Sequence, residues 1–185
     1  MWPKSGPALP PAAATAMRRH RQRRNLQLEN EAGVAVSRLG LPYRLRWERA
    51  EAQTVGLADL PGEVDLLIAD ISTSRLWVCE VKDPEAAFAP AALRRHIERF
   101  VRSGGHIDKL LTKADVIAQN PAAAAKACGI LDERSWRIIP LMVTRRVEPA
   151  AFLDNPRVAF AVLEDFPTVL RAASDAAPGH AQIGA

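Results

Sequence analysis

Residues 61–83 read PGEVDLLIADISTSRLWVCEVKD, and the fold turns on this stretch. Val64 to Ala69 and Arg75 to Lys82 are rich in β-branched and aliphatic residues, while Asp70-Ile71-Ser72-Thr73-Ser74 between them is polar enough to turn. The pattern predicts two antiparallel strands. With the turn centred between Ser72 and Thr73, Asp65 stands opposite Glu80 and Glu63 opposite Lys82. Directly opposed side chains share a face, with β-carbons about 4.5–5.5 Å apart. Asp65, Glu80 and Lys82 are therefore expected to converge at one end of one face. Leu67, Ala69, Leu76 and Val78 continue that face, and Val64, Leu66, Ile68, Trp77, Cys79 and Val81 line the other. A hairpin apolar on both sides belongs inside a sheet covered by helices.

Two carboxylates at the mouth of such an interior repel each other and are poorly solvated, so a divalent cation between them is the expected relief. Oxygen ligands suit Mg2+ or Mn2+, and an ammonium two residues along the strand can meet the charge of a phosphate. Gly62-Glu63-Val64-Asp65 followed, after a short hairpin, by Glu80-Val81-Lys82 resembles the active-site signature of the PD-(D/E)xK, or restriction-endonuclease-like, nuclease superfamily. The residue before Asp65 is Val64 rather than proline, a position at which members of the superfamily vary. The resemblance implies a Mg2+- or Mn2+-dependent phosphodiesterase acting on nucleic acid, with DNA the expected substrate. It assigns Asp65 and Glu80 to the metal, with the Val81 carbonyl assisting, and gives Lys82 the task of orienting or activating water. Removing either carboxylate is expected to spare the fold by relieving their repulsion. The resemblance also implies an α/β fold with an αβββαβ core, a mixed central sheet flanked by helices, and an acidic residue on the first helix facing the metal. Glu29 is the candidate, because it shares a face with Ala32, Gly33, Val36 and Gly40. Glu31 lies about 200° further round the helix.

The chain of 185 residues suits one α/β domain, and 48% hydrophobic with 25% charged residues is the balance of a soluble globular protein. Residues 1–15, rich in Pro and Ala, are expected to be a disordered tail, residues 16–173 the domain, and residues 174–185 a second tail. No apolar run is long enough to span a bilayer, and the start lacks the pattern of a secretion signal, so a cytoplasmic location is expected. Cys79 and Cys128 show no metal-binding spacing and read as reduced thiols. His20, His96, His106 and His180 form no His-x-x-x-His pair, and no phosphate-loop, dinucleotide or serine-hydrolase motif is present.

A helix is expected over Ala16–Leu39, stopped by Gly40 and Pro42, with Leu28, Ala32, Ala35, Val36 and Leu39 as its buried stripe. Tyr43–Ala50 alternates as a strand with Tyr43, Leu45 and Trp47 on one side, and Gln53–Leu60 reads as a connector. After the hairpin come helices at Ala91–Arg102, His106–Gln119 and Ala122–Ala127. A strand follows at Ser135–Thr144, where Pro140 predicts an edge position or a bulge, then a strand at Val158–Leu163 and a helix at Asp165–Ala173.

The net charge is +4, and the first 50 residues hold ten basic side chains against three acidic ones, which suits a polyanionic partner. Arg18, Arg19, Arg21, Arg23 and Arg24 near a helix start, and Lys109 and Lys113 one turn apart on a later helix, are the candidate phosphate contacts. As a bland alternative, all of these are solvated surface charges, and the Asp-Glu-Lys set is internal pairing with Glu63 bound to Lys82. The runner-up function is a catalytically inactive nucleic-acid-binding module of the same fold, and a third is an interaction domain that binds no nucleic acid.

Overall fold

The computed structural model of the chain describes residues 10–85, 89–132, 134–153 and 157–175. In chain order these form α1 (Pro11–Arg38), β1 (Tyr43–Trp47), α2 (Arg49–Thr54), β2 (Val64–Asp70), β3 (Arg75–Lys82), α3 (Pro90–Val101), α4 (His106–Gln119) and α5 (Pro121–Ala127). There follow β4 (Arg137–Thr144), a 3-10 turn (Pro149–Phe152), β5 (Ala159–Val162) and α6 (Phe166–Asp175). The strands form one sheet in the order β1-β2-β3-β4-β5, antiparallel across the first three and parallel from β3 to β5. This is an α/β fold with a mixed, open sheet between two layers of helices.

The β2–β3 hairpin has the expected register, with Leu66 opposite Cys79 and Asp70 opposite Arg75. The Asp70 carboxylate fixes the turn by accepting from the backbone N–H of Ser72 at 3.0 Å and the hydroxyls of Ser72 and Thr73 at 2.6 and 2.5 Å. Every β2 residue is buried. Leu67, Ala69, Leu76 and Val78 join a core with Phe100, Leu110, Ile117 and Ala124 of α3, α4 and α5. Leu66, Ile68, Cys79 and Val81 join a second core with Leu28, Ala32 and Val36 of α1 and Phe166 and Leu170 of α6. Gly33 lets α1 lie close on the sheet, since a β-carbon there would come within 2.8 Å of Leu45. Glu29 is thereby held one turn away over the end of β2.

The expected alternation fails at one place. Tyr43 and Leu45 pack on the α1 side, whereas Trp47 and Val64 cross to the core of α4 and α5. Arg46 between them has a φ of 47°, and the register passes from Leu45–Leu66 to Trp47–Val64 without a pair at Arg46 and Asp65. A left-handed residue in a strand turns the chain over, as a bulge does. Strand β1 consequently ends at Trp47 instead of Ala50. The good helix formers of RAEAQT make α2, where a strand end and connector were expected, and bury Ala52.

Two other boundaries differ for local reasons. Helix α1 begins at Pro11, five residues before the expected Ala16, because Pro at the first turn followed by alanines favours a helix. Residues 1–9 and 176–185 lie outside the described residues. Strand β4 is flanked by β3 and β5, so Pro140 is not on an edge strand. The Arg137 N–H donates to the Ser74 carbonyl just before β3 and the Thr144 carbonyl accepts from Leu163 just beyond β5, so the even-numbered residues of β4 direct their backbone groups toward β5. Pairing with β5 starts at Leu141, so the N–H that Pro140 lacks would meet no ladder partner. Among the described residues, no helix is long and apolar enough to cross a membrane.

Candidate active site

Asp65, Glu80 and Lys82 come together where β2 and β3 splay apart. Beyond the Leu66–Cys79 pair the Asp65 carboxylate takes the place of main chain, its Oδ2 accepting the Val81 N–H at 2.8 Å. The Lys82 ammonium sits 2.9 Å from Asp65 Oδ2, 2.8 Å from Glu80 Oε1 and 3.0 Å from the Val81 carbonyl oxygen. These are the three oxygens that the motif reading gave to a metal, and they point at one position. A charged nitrogen holds that position. The internal pairing of the bland alternative is present, but the partners of Lys82 are Asp65 and Glu80 in place of Glu63.

The opposite side of Glu80 meets a residue whose role the sequence reading misplaced. Lys113 is buried on α4 and its Nζ donates to Glu80 Oε2 at 2.7 Å, so it is not an exposed phosphate contact. Ile107, Leu110 and Lys113 follow one another at spacings of three, which puts the lysine stem on the apolar stripe of α4. Because Glu80 is its partner, the carboxylates are not left to repel each other in the metal-free protein. Removing Glu80 would strand a buried cation, contrary to the expectation that truncation spares the fold.

Glu29 reaches the cluster from α1, buried and 3.2 Å from an Arg46 nitrogen. Its carboxyl is held above the ordinary value of 4.5, first by burial and then by the charge of Asp65, against the pull of Arg46 and Lys82. Glu31 instead pairs with Arg145 at 2.9 Å on the outer side, which separates the two candidates on α1. Glu63 is also raised, by burial and then by Asp65. Glu29 and Glu63 thus stand as two further carboxyl groups near Asp65, each also within reach of the Arg46 charge.

On Glu80, burial acts to raise the carboxyl, but the Lys82 and Lys113 ammonium groups outweigh it and hold the group below 4.5. Burial likewise acts to lower Lys82, and Asp65 and Glu80 overcome it, so the ammonium persists above its ordinary 10.5. His106, at the start of α4, is pushed down to about 4 by burial and then by Lys82, and stays neutral at pH 7. A folded value below the unfolded 6.5 means that its contribution to stability is present above pH 6.5 and is lost as the pH falls toward 4. An NMR titration of the metal-free protein should place the His106 midpoint near 4, and higher in Lys82→Met. A midpoint near 6.5 in both proteins would refute this account of the pocket.

The arginines of α1 divide. Arg18, Arg19 and Arg23 are exposed, and Arg18 donates to Thr15 within its own helix at 3.3 Å. Arg21 is exposed but paired with Glu85 at 3.2 Å. Arg24 binds Asp83 through two contacts of 3.0 and 2.6 Å, and Asp83 also takes Arg145 at 3.1 Å. Arg24 and Asp83 therefore fasten α1 to the end of β3, a structural task. Lys109 is exposed on α4 and free to meet a phosphate. His96, for which a surface position was expected, is instead buried on α3 with Nε2 2.8 and 3.0 Å from the two oxygens of a buried Glu148. Its spacing of four from Phe100 was the available signal.

The chain matches no family model, no curated protein and no solved structure. Chemistry at the site must therefore be read from the residues alone. Among the described residues no three His, Cys, Asp or Glu side chains gather as a ready-made metal cage. The donor set for a cation is two carboxylates and a carbonyl, all hard oxygens, which fit Mg2+ or Mn2+. Such an ion prefers oxygens at about 2.0–2.1 Å. These three oxygens can hold it only once Lys82 Nζ has withdrawn.

Proposed function

We propose that this chain is a metal-dependent nuclease of the restriction-endonuclease-like type, acting on phosphodiester bonds of nucleic acid, with DNA the expected substrate. The carrying observation is the convergence of Asp65 Oδ2, Glu80 Oε1 and the Val81 carbonyl on one cation position. The order α1, β1, β2, β3, a helical layer and then β4 is compatible with an αβββαβ core, α2 being an insertion between β1 and β2. Mg2+ or Mn2+, when bound, would stabilise charge on the phosphate and acidify a water. Asp65 and Glu80 would hold the ion, with Glu29 a further candidate from α1. Lys82, released from the carboxylates, would direct its ammonium at the phosphate, and Lys113 would keep Glu80 ionised and aimed.

Digestion of a panel of DNA and RNA substrates with Mg2+ and Mn2+ by wild type and Lys82→Ala tests the reading. Wild type should cleave at least one substrate and the variant should not. A second measurement separates the ammonium from a merely structural pair. In Lys82→Ala the ion no longer displaces an ammonium held by charge-assisted bonds worth about 1.5–3 kcal/mol each. The variant should therefore bind Mn2+ roughly tenfold or more tightly in calorimetry even as cleavage is lost. Weaker Mn2+ binding by the variant would show that Lys82 does not occupy the ion's place. Nucleic-acid binding that persists in EDTA, with no cleavage under either metal, would favour the inactive binding module.

A further inference from the structure

Beside the Asp65–Glu80–Lys82 cluster a cleft of about 350 Å³ opens between α1 and α3, with Lys82, Asp83 and Pro84 at its floor. Most charges around it are already matched within the protein. Arg21 has Glu85, Asp83 has Arg24 and Arg145, Lys82 has Asp65 and Glu80, and His96 has Glu148. Arg95 and Arg99 are the exceptions. Both line the cleft from α3, both are exposed, and among the described residues neither has a carboxylate at ion-pair distance. The nearest acid on their helix, Glu98, is taken by Arg94 at 3.0 Å.

Their spacing of four puts the two guanidinium groups one turn apart on the same side of α3, where like charges destabilise a helix by a few tenths of a kcal/mol. An anion between them reverses the sign of that term. Guanidinium groups bind phosphate oxygens through paired N–H donors, which a lysine cannot do. Of the exposed arginines of α1 only Arg21 lines this cleft, and it is paired.

We propose that Arg95 and Arg99 clamp a backbone phosphate of a nucleic-acid strand, leading it along the α1–α3 cleft to the Lys82 site. This rests on the nuclease reading above, but binding without metal tests it separately. The probe is a fluorescein-labelled 20-nucleotide single strand, followed by anisotropy in EDTA from 50 to 200 mM salt. The proteins are wild type, Arg95→Gln/Arg99→Gln, and Arg38→Gln/Arg171→Gln, which removes the same charge from exposed positions away from the cleft.

Each phosphate neutralised on a single strand contributes about 0.7 to the slope of log affinity against log salt, so losing the one phosphate that the pair clamps should flatten it by about 0.7. The cleft variant should bind at least about tenfold more weakly at the lowest salt, and the control should stay close to wild type. Equal losses in both variants would reduce the effect to net charge and overturn the clamp, as would an unchanged slope in the cleft variant. If the cleft variant loses binding while wild type cleaves nothing under Mg2+ or Mn2+, the clamp stands and the nuclease reading falls. If wild type cleaves and the cleft variant binds normally, the nuclease reading stands and the clamp falls.

Discussion

Asp65→Asn is expected to lower metal-stimulated cleavage by at least about 100-fold while leaving oligonucleotide binding in EDTA close to wild type. Substitution of residues that only support metal ligands costs roughly 10–100-fold in affinity or activity, so loss of a direct carboxylate ligand should reach the top of that range or pass it. The amide is the informative replacement because the Asp65 carboxylate has two tasks. It closes the opening between β2 and β3 by accepting the Val81 N–H at 2.8 Å, and it supplies negative charge to the cation position. An asparagine oxygen can still accept that N–H, so the strands stay in register, but it no longer carries the charge. Lys82 would keep Glu80 as its partner. Circular dichroism reads the first task, and initial rates on a labelled oligonucleotide with saturating Mg2+ the second. Cleavage by Asp65→Asn within tenfold of wild type would remove this carboxylate from the chemistry and the metal site with it.

How far the sequence was legible depends on the range of the interaction. The β2–β3 register was readable because a period of two on either side of an Asp-Ile-Ser-Thr-Ser turn allows one centring, and Asp70 binds that turn as a local polar cap would. The expected Asp65–Glu80 pair lies past the last pair of that register, Leu66 with Cys79, and the three side chains meet there because the Asp65 carboxylate takes the Val81 N–H in place of main chain. What lay beyond it was set by partners far along the chain. Arg24 and Asp83 are 59 residues apart, and Glu80 and Lys113 are 33 apart. No local pattern announces that a basic run on α1 will be spent on fastening a helix to a strand end. Lys113 and His96 were different, since their spacing from Leu110 and Phe100 put them on apolar stripes, where a polar residue needs a buried partner. The crossing of Trp47 and Val64 was not legible at all. It depends on Arg46 adopting a left-handed backbone that an arginine rarely takes, beside the carboxylate it helps to frame.

Glu80→Ala is expected to destabilise the protein by about 3–5 kcal/mol, the usual cost of removing one partner of a buried ion pair, out of a total near 5–15 kcal/mol for a domain. The side chains of Lys113 and Glu80 are only 9% and 7% exposed, and Glu80 is the one carboxylate at ion-pair distance from Lys113 among the described residues. Truncation leaves that ammonium buried and unmatched, whereas Lys82 can turn wholly to Asp65. Glu80→Gln should cost less, because its amide oxygen still accepts from Lys113. The decisive variant is Glu80→Ala/Lys113→Met, which removes both charges and fills the stem's place with an apolar chain of similar length. It should recover most of the stability lost in Glu80→Ala, giving a coupling well outside the 0.3–0.5 kcal/mol of independent sites. The dependence on pH carries a second signature. Glu80 titrates below 4.5 in the folded protein, so its contribution is present above that value and fades as the pH falls through the folded value. Lys82 titrates above 10.5, so its contribution is complete below that value and fades as the pH rises further. The stability gap between wild type and Glu80→Gln, measured by denaturant unfolding, should therefore be widest between those limits and narrow on both sides. A Glu80→Ala protein within 0.5 kcal/mol of wild type at pH 7, or a gap that stays flat into acid, would mean that Lys113 finds water or another partner and that the four-residue cluster does not act as a unit.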